Sequence, residues 1–313
     1  MDYCLNSGWS WIVFVGSALV NTYLKFGLVV DAHEVFEELP VKDVVLWNSM
    51  VNGYAHIGRF EEALWMFRRM GENGMIPCKY AVTGVLSIYS VIGDFDNGRV
   101  VHGFDGFVTK IGYGSSVVVS NALIDMYAKC GNMRDARMVF DIMTEKDVAS
   151  WNIMITGYGM HGYGDEALDI FSRMCQAQLV PKEISFVGLL SACSHAGMVK
   201  EGFELLAVMD SNYGVSPSIE HYTCVIDMLC RAGKLMEAYD LMLTMPFKAD
   251  PVGWRALLAA CRIHKDTDLA EIAASKVIEI EPVHCGNYVL MSNVYGVVGR
   301  YEEVFELRNT MRQ

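Results

Sequence analysis

The amino-acid sequence predicts an all-α protein, a solenoid of stacked helix-turn-helix repeats, and three observations predict it. The stretch Asn121–Phe140, NALIDMYAKCGNMRDARMVF, carries apolar residues at Leu123, Ile124, Tyr127 and Ala128, then at Met133, Ala136, Val139 and Phe140. This is helical spacing on both sides of Gly131, so the stretch reads as two helices around a turn. The same phrase recurs from Ser17 as SALVNTYLKFGLVVDAHEVF and, more loosely, from Thr223 as TCVIDMLCRAGKLMEAYDLM. Trp47, Trp151 and Trp254 repeat at a spacing of about 104 residues, the self-similarity of a repeat array. A single helical hairpin cannot bury its apolar face alone, so each must stack on its neighbours.

Composition sets the limits. An apolar fraction of 52% is ample for a core, and only 20% of the residues are charged. The mean hydropathy of +0.24 is high for a soluble protein, and helix–helix surfaces would absorb it. No apolar run reaches the roughly 18 residues of a membrane span; Trp9–Val20 is short and is closed by Asn21 and Thr22. The start of the chain is neither a charged signal region nor an Arg/Ser-rich transit segment. The expectation is a cytosolic chain, or one whose true N-terminus is missing. The nine cysteines show neither CxxC spacing nor a histidine at zinc-site spacing. Cys130, Cys193, Cys230 and Cys261 occupy small-residue helix positions and read as buried free thiols in a reducing compartment. The net charge of −12 argues against nonspecific nucleic-acid binding but leaves room for a local basic groove.

The repeats divide the chain as follows. Residues 1–12 are the remnant of an incomplete unit. Units then run 13–43, 44–78, 79–116, 117–147, 148–182, 183–218 and 219–250. A further hairpin covers 251–284, and 285–313 ends the chain with another. In 44–78 the first helix has Met50, Val51, Tyr54 and Ala55 apolar, Gly58 makes the turn, and Ala63, Leu64, Phe67 and Met70 form the stripe of the second helix. Glu61 and Glu62 begin that helix and Arg68 and Arg69 end it, as the helix dipole prefers. Unit 79–116 is longer than its counterpart 183–218, and Phe104–Gly106 reads as an extra near-turn that makes a bulge or a longer second helix.

These lengths in this order resemble the pentatricopeptide repeat family of plants, in its P-L-S subfamily. The motifs GYGMHGYGDEAL (157–168), LLSACSHAGMVKEG (189–202), EHYTCVIDMLCRAGKLMEAYDLM (220–242) and WRALLAACRIHKDTDLAEIAASKVIEIEP (254–282) carry the likeness. The last of them, with GNYVLMSNVYGVVGRYEEV (286–304), resembles the E motifs that follow the final repeat, the second one truncated. On that resemblance 13–43, 117–147 and 219–250 are S-type units, 44–78 and 148–182 P-type, and 79–116 and 183–218 L-type, wound into a right-handed superhelix.

The resemblance implies sequence-specific binding of single-stranded RNA, as in organelle C-to-U editing. Members with E motifs choose the cytidine, and the location implied is mitochondrion or chloroplast, the former favoured. The base is read by the fifth and last residues of a unit, and the second residue stacks on it. A polar side chain can reach the edge of an unstacked base while apolar residues cover its faces. Carried over, Ser17 with Asp43 favours guanine, Asn121 with Asp147 uracil, and Thr223 with Asp250 leans to guanine. Asn48 with Cys78 and Asn152 with Lys182 suggest pyrimidines, although Cys and Lys depart from the usual last residues. The L-type units offer Thr83 with Ser116, and Val187 with Ser218; valine has no hydrogen-bonding group and reads little. The stacking positions are Phe14, Val45, Tyr80, Val118, Ala149 and Ile184.

The same residues have a plainer reading. Asn before a helix is an ordinary N-cap, and Asp at a unit end caps the helix that follows. The three tryptophans suit inter-hairpin packing better than stacking on a base. The thirteenth residues Lys25, His56, Lys129 and Arg231, with Met160 the exception, are cationic or potentially so. They would meet phosphates on one face, or merely complement helix C-termini.

Cytidine deamination needs zinc held by His and two Cys with a glutamate as acid/base, in the pattern HxE followed by CxxC. His33-Glu34 lacks that spacing, the other seven histidines have no Glu two residues on, and the chain stops at Gln313 within the second E motif. The expectation is a non-enzyme with no cofactor, metal, membrane or small-molecule substrate. A deaminase-bearing protein of the same family would then act in trans, with multiple organellar RNA editing factors, docked through 251–313. His195 in CSHAG reads as a cap or packing residue. The competing readings are a protein-binding helical scaffold, or an inactive fragment of a longer editing factor.

Overall fold

The computed structural model describes residues 3–92, 106 and 108–310, and among them every regular element is a helix. They form two compact units, 1–154 and 155–313. None of the described helices is long and apolar enough to cross a membrane.

The first unit contains α1 (Tyr3–Lys25), α2 (Val29–Glu38), α3 (Val44–His56), α4 (Phe60–Glu72), α5 (Lys79–Ile92), α6 (Val117–Lys129) and α7 (Met133–Ile142), and α8 (Val148–Met160) begins in it. The first helices of successive hairpins, α1, α3, α5 and α6, lie side by side, while α2, α4 and α7 fold back on their partners. The periodicity that defined the repeat is the packing pattern: all eight apolar positions between Leu123 and Phe140 are buried. Gly131 turns the chain at φ 81°, a left-handed conformation that costs a residue with a Cβ. Trp47 packs edge-on to Phe36 at 4.8 Å and Trp151 edge-on to Phe140 at 4.9 Å. Each tryptophan thus reaches the second helix of the preceding hairpin and joins neighbouring repeats.

Two local expectations change. In α4 the buried stripe is Ala63, Met66 and Met70. Leu64 and Phe67 are only half-buried and border an apolar cleft of about 560 Å³ with Met75, Ile76 and Tyr89. The stripe faces two neighbours, the partner helix and the next hairpin, so one-helix periodicity places it a little off. α1 runs on N-terminally through Val13, where the repeat pattern begins. The expected near-turn at Phe104–Gly106 lies, but for Gly106, outside the described residues.

A polar cluster also joins the first two hairpins. The Tyr54 hydroxyl lies 2.9 Å from Nδ1 of His33. Arg69 grips Glu37 with both terminal nitrogens and stacks over Trp65 at 4.9 Å. The hydrogen bond from Arg69 holds the Glu37 carboxyl below the ordinary glutamate range, in spite of the opposing effect of burial. A carboxyl lowered on folding contributes stability that is present above its unfolded value and lost as pH falls through its folded one. Acidification below about pH 4 is therefore expected to lower the melting temperature, and Glu37→Gln to remove part of that acid sensitivity. Identical acid melting curves for the two proteins would refute it.

The second unit continues with α9 (Gly164–Gln176), α10 (Glu183–Ala196), α11 (Val199–Tyr213), α12 (Ile219–Arg231), α13 (Leu235–Thr244), α14 (Pro251–His264), α15 (Thr267–Ile280), α16 (Cys285–Val297) and α17 (Tyr301–Thr310). Again the first helices α10, α12, α14 and α16 pack in succession. Phe186 is fully buried against Phe171 at 5.4 Å and Tyr213 at 5.2 Å, and Trp254 faces Tyr239 at 6.3 Å. A Cβ on Gly159 would lie 2.9 Å from that of Ala192 and 3.0 Å from its Cα, so glycine there permits close helix approach. His195 reaches back to the Gly159 carbonyl at 2.9 Å, a packing role. His221 is completely buried: its Nδ1 accepts from the Ser218 N–H, and its Nε2 lies 3.0 Å from the Glu183 carbonyl.

The cysteines divide. Burial, with Glu201 adding, pushes the Cys193 thiol up to about 11; burial, with nearby acids adding, pushes Cys230 and Cys261 up to about 12. Thiols so shifted are poor nucleophiles. Cys130, expected to be buried, is only half-buried because it sits at the C-cap of α6, and Cys285 is exposed.

Candidate functional site

The fifth and last residues of a unit are far apart in sequence, yet the turn between hairpins returns the chain to the start of the first helix. In two units the two positions are in hydrogen-bond contact. In unit 44–78 the Asn48 side-chain oxygen accepts the Cys78 N–H at 3.2 Å. In unit 117–147 the Asn121 amide donates to Asp147 Oδ1 at 3.2 Å. The other oxygen of that pair, Asn121 Oδ1, is buried and has no hydrogen-bond partner among the described residues.

The capping alternative separates by residue type. Asn48, Asn121 and Asn152 stand one turn inside α3, α6 and α8, so the reading of Asn as an N-cap is wrong: a residue at that depth has its own N–H inside the helix. The aspartates do cap. Asp43 accepts the Leu46 N–H, Asp147 the Ser150 N–H and Asp250 the Gly253 N–H, each at 2.8 Å. Burial alone would push the Asp147 carboxyl up, but hydrogen bonds from Ser150 and Asn121 hold it below the ordinary aspartate range. The cap fixes one carboxylate oxygen and leaves the group charged at the mouth of the site. Ser150, whose hydroxyl also donates to Asp147 at 2.9 Å, is an orienting residue that the sequence pattern did not single out.

The remaining positions are less alike. Ser17 is buried, and its hydroxyl has no partner among the described residues. The hydroxyls of Thr83 and Thr223 bond back to the Tyr80 and Ile219 carbonyls. Ser116 is the N-cap residue of α6, without a side-chain capping bond. Asn152 is half-buried on α8; Lys182, in the second unit, is exposed at the N-cap of α10. Val187 is half-buried, and Ser218 is occupied by Glu220 and His221.

All six expected stacking positions face solvent. Phe14, Val45, Tyr80, Val118 and Ile184 expose between 48% and 68% of their surface, and Ala149 is exposed as well. Scattered exposed apolar residues are ordinary, but one at the same place in each of the six units from 13–43 to 183–218 marks a surface position; unit 219–250 has Glu220 there. In the second hairpin this surface becomes a cleft of about 490 Å³, lined by Lys25, Val45, Asn48, His56, Cys78 and Tyr80. Those six residues come from three successive hairpins and comprise two of the base-reading, two of the stacking and two of the phosphate positions that the family resemblance implies.

The cationic column is not uniform. Lys25 and His56 line the cleft and have no ion-pair partner among the described residues. Lys129 is paired with Asp125 at 2.7 Å, and Arg231 with Asp227 at 2.7 Å. The neutralising acids stand four residues earlier, a spacing visible in the sequence, where Asn21 and Asn52 occupy the same place before Lys25 and His56.

Family models for the PPR repeat match residues 17–44, 45–75, 118–148, 184–213 and 213–246; one for the PPR repeat family matches 146–195 and one for the E motif 264–313. The pentatricopeptide repeat-containing protein At3g14730 of Arabidopsis thaliana is 45% identical over 96% of this chain and 46% of its own length. DOT4, chloroplastic, of the same plant is 43% identical over 92% of this chain and 33% of its own. The chain thus spans half or less of the length of these relatives. The crystal structure of PPR10 from maize has the same fold, with a TM-score of 0.67 at 18% identity over 95% of this chain and 43% of that one. That protein has also been crystallised with an 18-nt psaJ RNA element. The chain belongs to the plant pentatricopeptide repeat family, in the group whose repeats are followed by an E motif.

Proposed function

We propose that this chain binds single-stranded RNA in a sequence-dependent way and that, in its full-length protein, it selects sites for organelle C-to-U editing. The observation that carries this reading is the cleft of Lys25, Val45, Asn48, His56, Cys78 and Tyr80, which joins a polar edge, two apolar faces, a lysine and a histidine. Those are the three things an unstacked nucleotide needs from a protein: an edge to hydrogen-bond, a surface to stack on and a charge for its phosphate. The E motif supports the editing role, and relatives named chloroplastic or mitochondrial support an organelle. A deaminase then arrives in trans, with multiple organellar RNA editing factors, through 251–313. Exposed Tyr301 and Phe305 on the last hairpin suit that docking, and they are also what a protein-binding scaffold would present.

The test is selection from a randomised single-stranded RNA pool at fixed moderate salt. Guanine and uracil enriched three positions apart would assign Ser17/Asp43 and Asn121/Asp147 to base reading. No enrichment by a folded, helical protein would overturn the proposal in favour of the scaffold. Three well-read bases at about 1–3 kcal/mol each supply modest discrimination, so binding by the isolated chain is expected to be weak. The cationic column adds a second expectation. Lys25→Ala is expected to reduce the salt slope of binding by about 0.7, and Asp125→Asn, which frees Lys129, to steepen it by a similar amount. Unchanged slopes would exclude phosphate contact at these positions.

A further inference from the structure

The sequence pattern of base reading stops at Asp250, but the geometry goes one hairpin further. Val252, second residue of 251–284, exposes 52% of its surface, and so resembles the exposed second residues of the six units from 13–43 to 183–218, while unit 219–250 between them has Glu220 there. Asp250 caps α14 as Asp43 and Asp147 cap α3 and α8. Arg255 occupies the fifth position, and its guanidinium donates to Glu281 at 2.5 Å, near the end of the same unit. This repeats, with charged groups, the Asn121–Asp147 contact, with the same separation of 26 residues along the chain. Both side chains keep part of their surface in solvent, 28% and 34%. The next hairpin lacks these features, with Gly286 at its second position and Val289 at its fifth.

Resting on the RNA-binding reading above, we propose that Val252, Arg255 and Glu281 form one additional nucleotide position, next to the one faced by Thr223 and Asp250, and that it takes guanine. A guanidinium beside a carboxylate presents a row of donors next to a row of acceptors. The Watson–Crick edge of guanine is its complement: O6 accepts from Arg255, while N1–H and the 2-amino group donate to Glu281. Adenine and cytosine each bring only one donor, the amino group, to Glu281 where guanine brings two, and so make one bond to the carboxylate fewer. Uracil sets a second carbonyl against the carboxylate. Val252 covers one face of the base, and Gly286 leaves the other open.

The experiment maps the position by paired variants of the full chain in pool selection. Thr223→Asn marks its own position by changing the base enriched there. Arg255→Gln and Glu281→Gln are each expected to weaken guanine enrichment about tenfold or more at the adjacent position and nowhere else. Thermal melting of both variants is measured in parallel. An unchanged guanine preference in both variants, or a loss spread evenly over all positions with a lowered melting temperature, would overturn the assignment and leave the pair as a structural tie. Absence of any enrichment by the parent chain would overturn the RNA-binding reading itself. Enrichment at the Asn121 position with none next to that of Thr223 would overturn this inference alone.

Discussion

Asn121→Ser is expected to convert the uracil preference proposed for its position to guanine, with a change of roughly tenfold or more in relative affinity. The reason lies in the Asn121–Asp147 contact. Asp147 is held by Ser150 and by its cap on α8, so it stays where it is when residue 121 changes. Serine is shorter than asparagine and gives up the 3.2 Å contact, so the Asp147 carboxylate, still held at Oδ1 by Ser150, loses the Asn121 donor and is left to accept from the base. The residue is half-buried one turn inside α6, so the replacement alters the mouth of the site without touching the buried Leu123 and Ile124. Competition binding with two RNAs differing at that single base reads the effect. Equal affinities for parent and variant, with α-helix content intact, would exclude Asn121 from base reading.

Phe186→Ala is expected to be the most damaging single change in the second unit, costing about 3–5 kcal/mol in urea unfolding followed by helix signal. Phe186 is fully buried on α10, and its ring joins Phe171 on α9 to Tyr213 at the end of α11. Truncation removes the ring contacts and leaves a cavity that these partners cannot fill together. In a stacked array each hairpin depends on its neighbours, so the loss is expected to broaden the transition as well as shift it. A cost below about 1 kcal/mol would mean that the aromatic cluster is not what holds successive hairpins together.

Much of this was legible in the sequence. The eight apolar positions of Asn121–Phe140 determined two amphipathic helices around Gly131, and the recurrence of that phrase determined a repeat array. The spacing of the tryptophans foretold their place between hairpins, because burial at a fixed period forces large side chains onto fixed neighbours. The family followed from the motifs.

What the sequence by itself could not decide is which residues meet across hairpins. Periodicity describes one helix against one partner, whereas α4 faces two, so Met66 is buried and Leu64 and Phe67 are left beside a cleft. The aspartates cap and the asparagines do not, a division that depends on where each helix begins, which local pattern locates only to within a turn. The Arg255–Glu281 contact needed the tertiary structure most of all: the groups are remote in sequence and lie outside the repeat pattern, and only the return of the chain at the end of the hairpin brings them together.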